Sequence, residues 1–599
     1  MCGFLTSLAP AWQDRAGPVA GALHERGPDA HGLAHEAGAT FVHTRLSILG
    51  LGREGNQPAR SADGRKVLVF NGEIYNYREL ARAHRLGDRI ASDTQVLLEL
   101  LTRLEPADVV AQLRGMYAFA YFDADRASLV AARDPMGIKP LYLHTGRDGQ
   151  PTLASCLPAL LAGTTPAIDS LGLLGFLAFG HTGPVRTVYQ DVTKLLPGEL
   201  YCWQRCDDGR VTASVQPVDF PEQPRMPVRQ ALADSVRAHL VSDVEVGAFL
   251  SGGVDSTLLA ALAIRETGAL RTFTVSFPEA AADESALAAS NARLLGSRHE
   301  EVPATDRGMV AAAATFLRQH GEPFGDAACL PLTVLSERAG ESLKVVLCGE
   351  GADELFGGYS RYRVARRLAR TEGPAGPAAR WWANRRGGQP WARALEAALW
   401  GGGFRAHAAL LDGELALMER VAPQLARRFA TDVGDDWRRL AGASANLDAA
   451  RRYDLQRWLP NVYLEKTDRA TMSASLEGRL PYLDRVVAAA APLPRPQGTL
   501  KLPLRELLYE LLPGVQLPER KLGLSVDIWA LRAAGLDQPF RAAVQRPAGV
   551  LGRAFGVAAV RALAERAEHS PSLFFRLAML GLWEQQFAID ASAVSEPAL

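Results

Sequence analysis

Two kinds of hydrophobic pattern divide the chain. Up to about residue 217, short β-rich runs such as 66–70 and 117–122 are separated by turns, a pattern that predicts a sandwich of antiparallel sheets flanked by helices. From Val228 helical periodicity alternates with short apolar runs: a helix to about Ser242, then runs at 246–250, 270–277 and from Val345. Alternation of this kind predicts a doubly wound parallel sheet with additional helices, which places ligands at the carboxyl ends of its strands. The Pro-containing stretch 217–225 separates the two patterns. The expected fold class is therefore α/β in two units: residues 2–217, an αββα-type sandwich, and residues 226–590, the parallel-sheet unit.

Two stretches of the second unit carry chemistry. The run 246–250 breaks on Ser251-Gly252-Gly253-Val254-Asp255-Ser256 and resumes as the apolar 258–262. Adjacent glycines let backbone N–H groups approach an anion at a helix N-terminus, with the hydroxyls of Ser251 and Ser256 beside them. No Gly-Lys dipeptide occurs in the chain, so the kinase-type phosphate loop is excluded. The second stretch, an apolar run into Cys348-Gly349-Glu350-Gly351-Ala352-Asp353-Glu354, is expected to bring three carboxylates to a strand end facing the first loop. Carboxylates so close are costly without a cation between them.

Composition narrows the class. The 599 residues are 48% hydrophobic, and 66 Lys and Arg balance 66 Asp and Glu, which argues for a soluble enzyme and against a nucleic-acid partner. Six scattered cysteines with no Cys-x-x-Cys pattern form neither a disulfide framework nor a zinc site, and no apolar run is long enough to span a bilayer. A reduced, cytoplasmic protein is expected. Cys2 follows the initiator Met; removal of Met1 would put a thiol and a free α-amine on one residue, the amine able to serve as general base.

The order of further motifs is specific: Arg26-Gly27-Pro28-Asp29, His43-Thr44-Arg45-Leu46-Ser47-Ile48, Gln57-Pro58, Phe70-Asn71-Gly72-Glu73-Ile74-Tyr75-Asn76, Ser92-Asp93-Thr94 and a run from Arg133 to Tyr142. With Cys2 they resemble the glutaminase domain of N-terminal-nucleophile amidotransferases. The resemblance implies that Cys2 is the nucleophile, that Asn71 and Gly72 form the oxyanion hole, and that Arg45, Asn71, Glu73 and Asp93 bind glutamine. The Ser251–Ser256 loop resembles that of ATP pyrophosphatases. Together with the Gly349–Glu354 loop and Leu464-Glu465-Lys466-Thr467-Asp468-Arg469, continuing to Asp484, it makes the whole chain resemble the glutamine-hydrolysing asparagine synthetase family.

What this implies for the second unit is an ATP site of Leu250, Ser251, Gly252, Gly253, Val254, Asp255, Ser256, Val275, Gly349 and Glu350, with Mg²⁺ held by Asp255 and Asp353. Glu350 is expected to serve the acceptor or ammonia. Lys466 and Arg469, three apart on a helix, are expected to reach phosphate or the acyl-adenylate. The implied substrates are glutamine, ATP and a carboxylate acceptor, aspartate first, with a homodimer as the expected assembly.

Some positions depart from the family: Glu25 stands where His is frequent, Cys348 where Ser is usual, and Ala328 and Cys329 where Ser and Ala are usual. Changes near an acceptor pocket can redirect specificity, so amidation of another carboxylate in a specialised pathway stays open. Lasso-peptide cyclases and β-lactam synthetases share the synthetase half and lack the nucleophilic Cys, so Cys2 with Arg45, Asn71 and Asp93 counts against them. A phosphoribosyl amidotransferase would need a different second loop, and a non-enzymatic scaffold would need neither set of charged residues. The tryptophans at 381, 382 and 391 are expected to pack rather than bind, and the pair Arg520-Lys521 to add a cation or lie on the surface.

Overall fold

The computed structural model describes residues 2–87, 92–146, 148–164, 166–279, 283–359, 361–362, 407, 410–411, 414–441, 447–492, 500–518, 524–589 and 591–594. The expectations for residues 381–399 and for Arg520-Lys521 lie outside them.

Among the described residues, seventeen strands form three sheets. The first twelve are β1 (Cys2–Ser7), β2 (Ala30–Glu36), β3 (Ala39–Arg45), β4 (Ala59–Arg60), β5 (Lys66–Ile74), β6 (Gly115–Asp123), β7 (Ser128–Arg133), β8 (Tyr142–Thr145), β9 (Pro151–Ala154), β10 (Val192–Lys194), β11 (Glu199–Arg205) and β12 (Val211–Pro217). They make two antiparallel sheets, β10-β8-β9-β1-β3-β2 and β12-β11-β7-β6-β5-β4. Period-two alternation explains the layering. On β5, Val67 and Val69 face a core shared with Phe4 and Phe41 of the other sheet, whereas Leu68 and Phe70 face the helix Asp93–Arg103 through Val96, Leu97 and Leu100. Ser92 caps that helix by accepting the Gln95 N–H, so Asp93 opens its first turn.

The remaining strands, β13 (Val246–Phe249), β14 (Arg271–Ser276), β15 (Arg298–Pro303), β16 (Val345–Leu347) and β17 (Glu477–Arg479), pair in parallel in the order β15-β14-β13-β16-β17. Helices Val254–Thr267, Ser285–Leu295 and Cys329–Gly340 belong to this half. Among the described residues, no helix is long and apolar enough to cross a membrane.

The halves meet along a buried, heavily charged seam. Arg26 makes a two-pronged bond to Asp468 (2.8 and 3.1 Å), and Arg114 bonds Asp484. Lys194 of β10 lies between Glu322 and Glu465 at 3.3 and 3.2 Å, all three buried. Isolated buried charges would be prohibitive, and here each has an opposite partner from the other half, which fixes the register of one half on the other.

Candidate active site

At the amino-terminal end, β1 lies beside β3 with Cys2 in register with Arg45. The Cys2 N–H donates to Asn71 Oδ1 at 3.0 Å, and Arg26 Nε donates to the Cys2 carbonyl at 3.3 Å. Burial pushes the Cys2 thiol up, against the pull of the amino-terminal charge and Arg45. Asn71 is wholly buried, and its Nδ2 has no hydrogen-bond partner among the described residues. An unspent amide donor beside a thiol is what a developing oxyanion requires. The next residue, Gly72, has φ +151°, and a Cβ there would lie 2.0 Å from the Met116 carbonyl, so only glycine fits.

Glu73 and Asp93 are buried nearby. Asp93 accepts the N–H groups of Ile74 (3.0 Å) and Thr94 (2.7 Å), yet burial dominates and its carboxyl is pushed up to about 6. Burial likewise raises Glu73 well above the usual range, opposed by Arg479, whose Nη2 lies 3.3 Å from Glu73 Oε1. Arg45 does not present a bare guanidinium: it donates to the Gly52 carbonyl (2.7 Å), Asn56 Oδ1 (2.9 Å) and the carbonyls of Leu49 (3.0 Å) and Gly50, gathering residues 49–56 around itself.

At the other end, the loop after β13 closes on itself. The Ser251 N–H donates to Ser256 Oγ at 3.0 Å, the two hydroxyls are 3.0 Å apart, and Gly252 turns with φ +73°. Gly349 approaches this loop so closely that a Cβ on it would be 3.3 Å from Asp255 Cβ. Asp255 and Asp353 converge on one ammonium, Lys501 Nζ, at 2.5 and 2.7 Å. Two hard oxygen donors meeting at a single cation position suit a divalent ion. Leu250, Val254 and Val275 are core side chains.

The three-carboxylate expectation is corrected. Glu350 accepts the Thr467 hydroxyl at 2.9 Å and Asp353 meets Lys501, but Glu354, buried, accepts the Tyr359 hydroxyl at 2.7 Å, and is pushed up to about 7 by burial and by Asp353 beside it. Lys466 and Arg469 also part company. Lys466 Nζ pairs with Asp326 at 2.9 Å, whereas Arg469 is sealed in the seam, donating to the Tyr142 hydroxyl (2.9 Å), the Ser155 carbonyl (3.3 Å) and Asp468 (3.0 Å). Arg469 therefore belongs to the joint and does not share an anion-binding face with Lys466.

Sequence reasoning missed Lys501, Asp326 and Arg479. The only available signal was a lone basic residue before Leu502-Pro503, an acidic one two residues before the departure at Ala328, and an arginine after Glu477. Of the departures, Glu25 accepts the Gln319 Nε2 at 2.5 Å across the seam, and Cys348 and Cys329 are buried thiols. The one set of described side chains spaced for a metal, His320, Glu322 and Glu465, already surrounds Lys194.

Two family models account for this arrangement: Asparagine synthase over residues 227–585 and Glutamine amidotransferase domain over residues 1–213. The chain belongs to the asparagine synthase family. As a family member it is a glutamine-dependent carbon–nitrogen ligase that uses ATP. Asparagine synthetase [glutamine-hydrolyzing] 1 of Bacillus subtilis (strain 168) is 31% identical over 534 residues, covering 84% of this chain and 82% of its own. A Mycobacterium tuberculosis (strain ATCC 25618 / H37Rv) protein, provisionally named a glutamine-hydrolysing asparagine synthetase, is 34% identical and covers 100% of this chain and 99% of its own. Among solved structures, the glutamine phosphoribosylpyrophosphate amidotransferase from B. subtilis, complexed with ADP and GMP, matches with a TM-score of 0.27 and 18% identity over 50% of this chain and 65% of that one.

Proposed function

We propose that the chain converts aspartate to asparagine with glutamine as nitrogen donor, through a glutaminase unit at residues 2–217 and an adenylating unit at residues 226–590. The observation that carries the reading is the pairing of Cys2 with Asn71, whose buried amide has a donor to spare, in the same chain as a Ser-Gly-Gly loop whose Asp255 converges with Asp353 on one cation position.

Once Met1 is removed, the Cys2 thiol gives its proton to its own α-amine and attacks the glutamine carboxamide. Asn71 Nδ2 and the Gly72 N–H hold the oxyanion, ammonia leaves, and water releases glutamate from the thioester. Arg45 takes the α-carboxylate of glutamine, and Glu73 with Asp93 take its ammonium. At the other site Ser251 to Ser256 cradle the phosphates. Mg²⁺ between Asp255 and Asp353 would neutralise the leaving pyrophosphate when bound. The acceptor carboxylate bonds to the α-phosphorus as pyrophosphate departs, and ammonia then displaces AMP. Lys466, braced by Asp326, is placed for the phosphate or the acyl-adenylate, and Glu350, held by Thr467, for the incoming ammonia.

The test is incubation with MgATP, glutamine and aspartate while asparagine, AMP and pyrophosphate are followed by mass spectrometry. Asparagine formed one-to-one with AMP is the expected result. Glutamate release without asparagine would rule out aspartate and turn attention to Ala328 and Cys329, the departures beside Asp326.

A further inference from the structure

Arg479 joins three parts of the molecule. It ends β17, in register with Leu347 of β16, and its carbonyl accepts the Cys348 N–H at 2.8 Å, immediately before Gly349 and Glu350. Its guanidinium donates through Nη1 to the carbonyls of His239 and Val241, both at 2.7 Å, at the end of the helix that leads into β13 and the Ser251–Ser256 loop. Through Nε it donates to Glu477 at 2.6 Å, and Nη2 reaches Glu73 of the other half at 3.3 Å. The side chain is wholly buried.

Three buried acids, Glu477, Glu73 and Asp93, lie close enough to feel one another, and Arg479, Lys139 and the amino-terminal charge offset them. Glu477 takes Nε of Arg479 and Glu73 faces Nη2, so Glu73 and Asp93 are the carboxyls left to meet the α-ammonium of glutamine. The planar fork of Arg479 is held at fixed acceptors on two other elements, and Nη2, with no hydrogen-bond partner among the described residues, meets Glu73 through charge, so a shift of Glu73 changes the load on β17 and on the end of that helix.

We propose that Arg479 is the positioning residue that couples the two sites: it aims Glu73 at the glutamine ammonium and ties that carboxylate to the roots of both nucleotide loops. This rests on the glutamine and ATP sites proposed above. Binding glutamine then restrains β17 and β16, so the Gly349–Asp353 loop is already ordered when ATP arrives, and each ligand tightens the other by the same factor.

The experiment uses the full chain carrying Cys2→Ala, which binds glutamine without consuming it. Calorimetry measures MgATP binding with and without saturating glutamine, and glutamine binding with and without MgATP. Cys2→Ala should show reciprocal tightening of about fivefold or more. Adding Arg479→Met should weaken glutamine by at least about tenfold and bring the mutual factor to one. Adding Arg479→Lys should recover glutamine affinity but not the mutual factor, because an ammonium cannot span Glu73 and both carbonyls, a split that a merely structural contact would not produce. If Arg479→Met does not fold, Glu73→Gln removes the same link from the other side and should also abolish the mutual factor. Unchanged coupling in either variant, or no coupling in Cys2→Ala itself, would overturn the proposal alone. Failure of Cys2→Ala to bind glutamine or ATP at all would overturn the functional reading and the proposal with it.

Discussion

The two ends of this molecule solve the problem of buried charge in opposite ways. At the glutamine end Cys2, Arg45, Asn71, Glu73 and Asp93 are all buried, and desolvation sets their character: it lifts the carboxyls of Glu73 and Asp93 and the thiol of Cys2. At the nucleotide end Ser251 is exposed and Gly253, Asp255, Gly349 and Glu350 are half-buried, while the convergent carboxylates are compensated by an ammonium drawn from far along the chain. A small neutral-overall amino acid can enter a sealed pocket, and a thioester gains from exclusion of bulk water. On the proposed function, a polyanion must enter and leave the second site through solvent, which suits an open site with an exchangeable charge balance.

That contrast can be broken at either end. The largest effect is expected from Cys2→Ala, which should abolish glutamine-dependent amide formation while synthesis from free ammonia stays within about twofold of wild type; loss of both would show that the ends are not separate. Asp353→Asn should do the reverse. It is expected to lower AMP formation from either nitrogen source by about a hundredfold or more, with glutamate release still measurable.

Smaller changes sharpen the difference within the sealed end. Asn71→Ala removes the spare amide donor and should reduce the kcat of glutamine hydrolysis by about 10² to 10³-fold with a far smaller change in KM. The pH dependence follows from Asp93, whose carboxyl sits near 6. Below that value it takes up a proton and loses its charge, so the KM for glutamine should rise as pH falls, by up to about tenfold per unit. Steady-state kinetics between about pH 5 and 7 should show that inflection in wild type and its loss in Asp93→Asn.

Much of this was legible in the sequence because the chemistry sits on short, fixed spacings: a thiol at position 2, an amide followed by glycine, a Ser-Gly-Gly turn between a strand and a helix. Both sheet types were legible from periodicity, since period-two runs and strand–helix alternation are local. What failed were inferences about facing. The helix Leu464–Met472 is buried along its whole length, so it has no single ligand face, and three residues of spacing sent Lys466 toward Asp326 and Arg469 into the seam. Glu354 follows Asp353 on the short helix Ala352–Phe356, so the two consecutive side chains leave it in different directions, Asp353 to Lys501 and Glu354 to the Tyr359 hydroxyl. Lys501, Asp326 and Arg479 were missed because their partners lie 246, 140 and more than two hundred residues away, and no local pattern encodes such a meeting.

The lateness of β17 has a consequence for how the chain is made. Strand β16 ends at Leu347, but its second parallel neighbour, β17, begins only at Glu477. On a ribosome the amino-terminal sandwich emerges whole long before this strand, and distant parallel pairings are the slowest contacts to form. Through that interval Glu73 has no Arg479 beside it. A nascent chain therefore carries Cys2 and Asn71 before the strand that brings Arg479 to Glu73 exists.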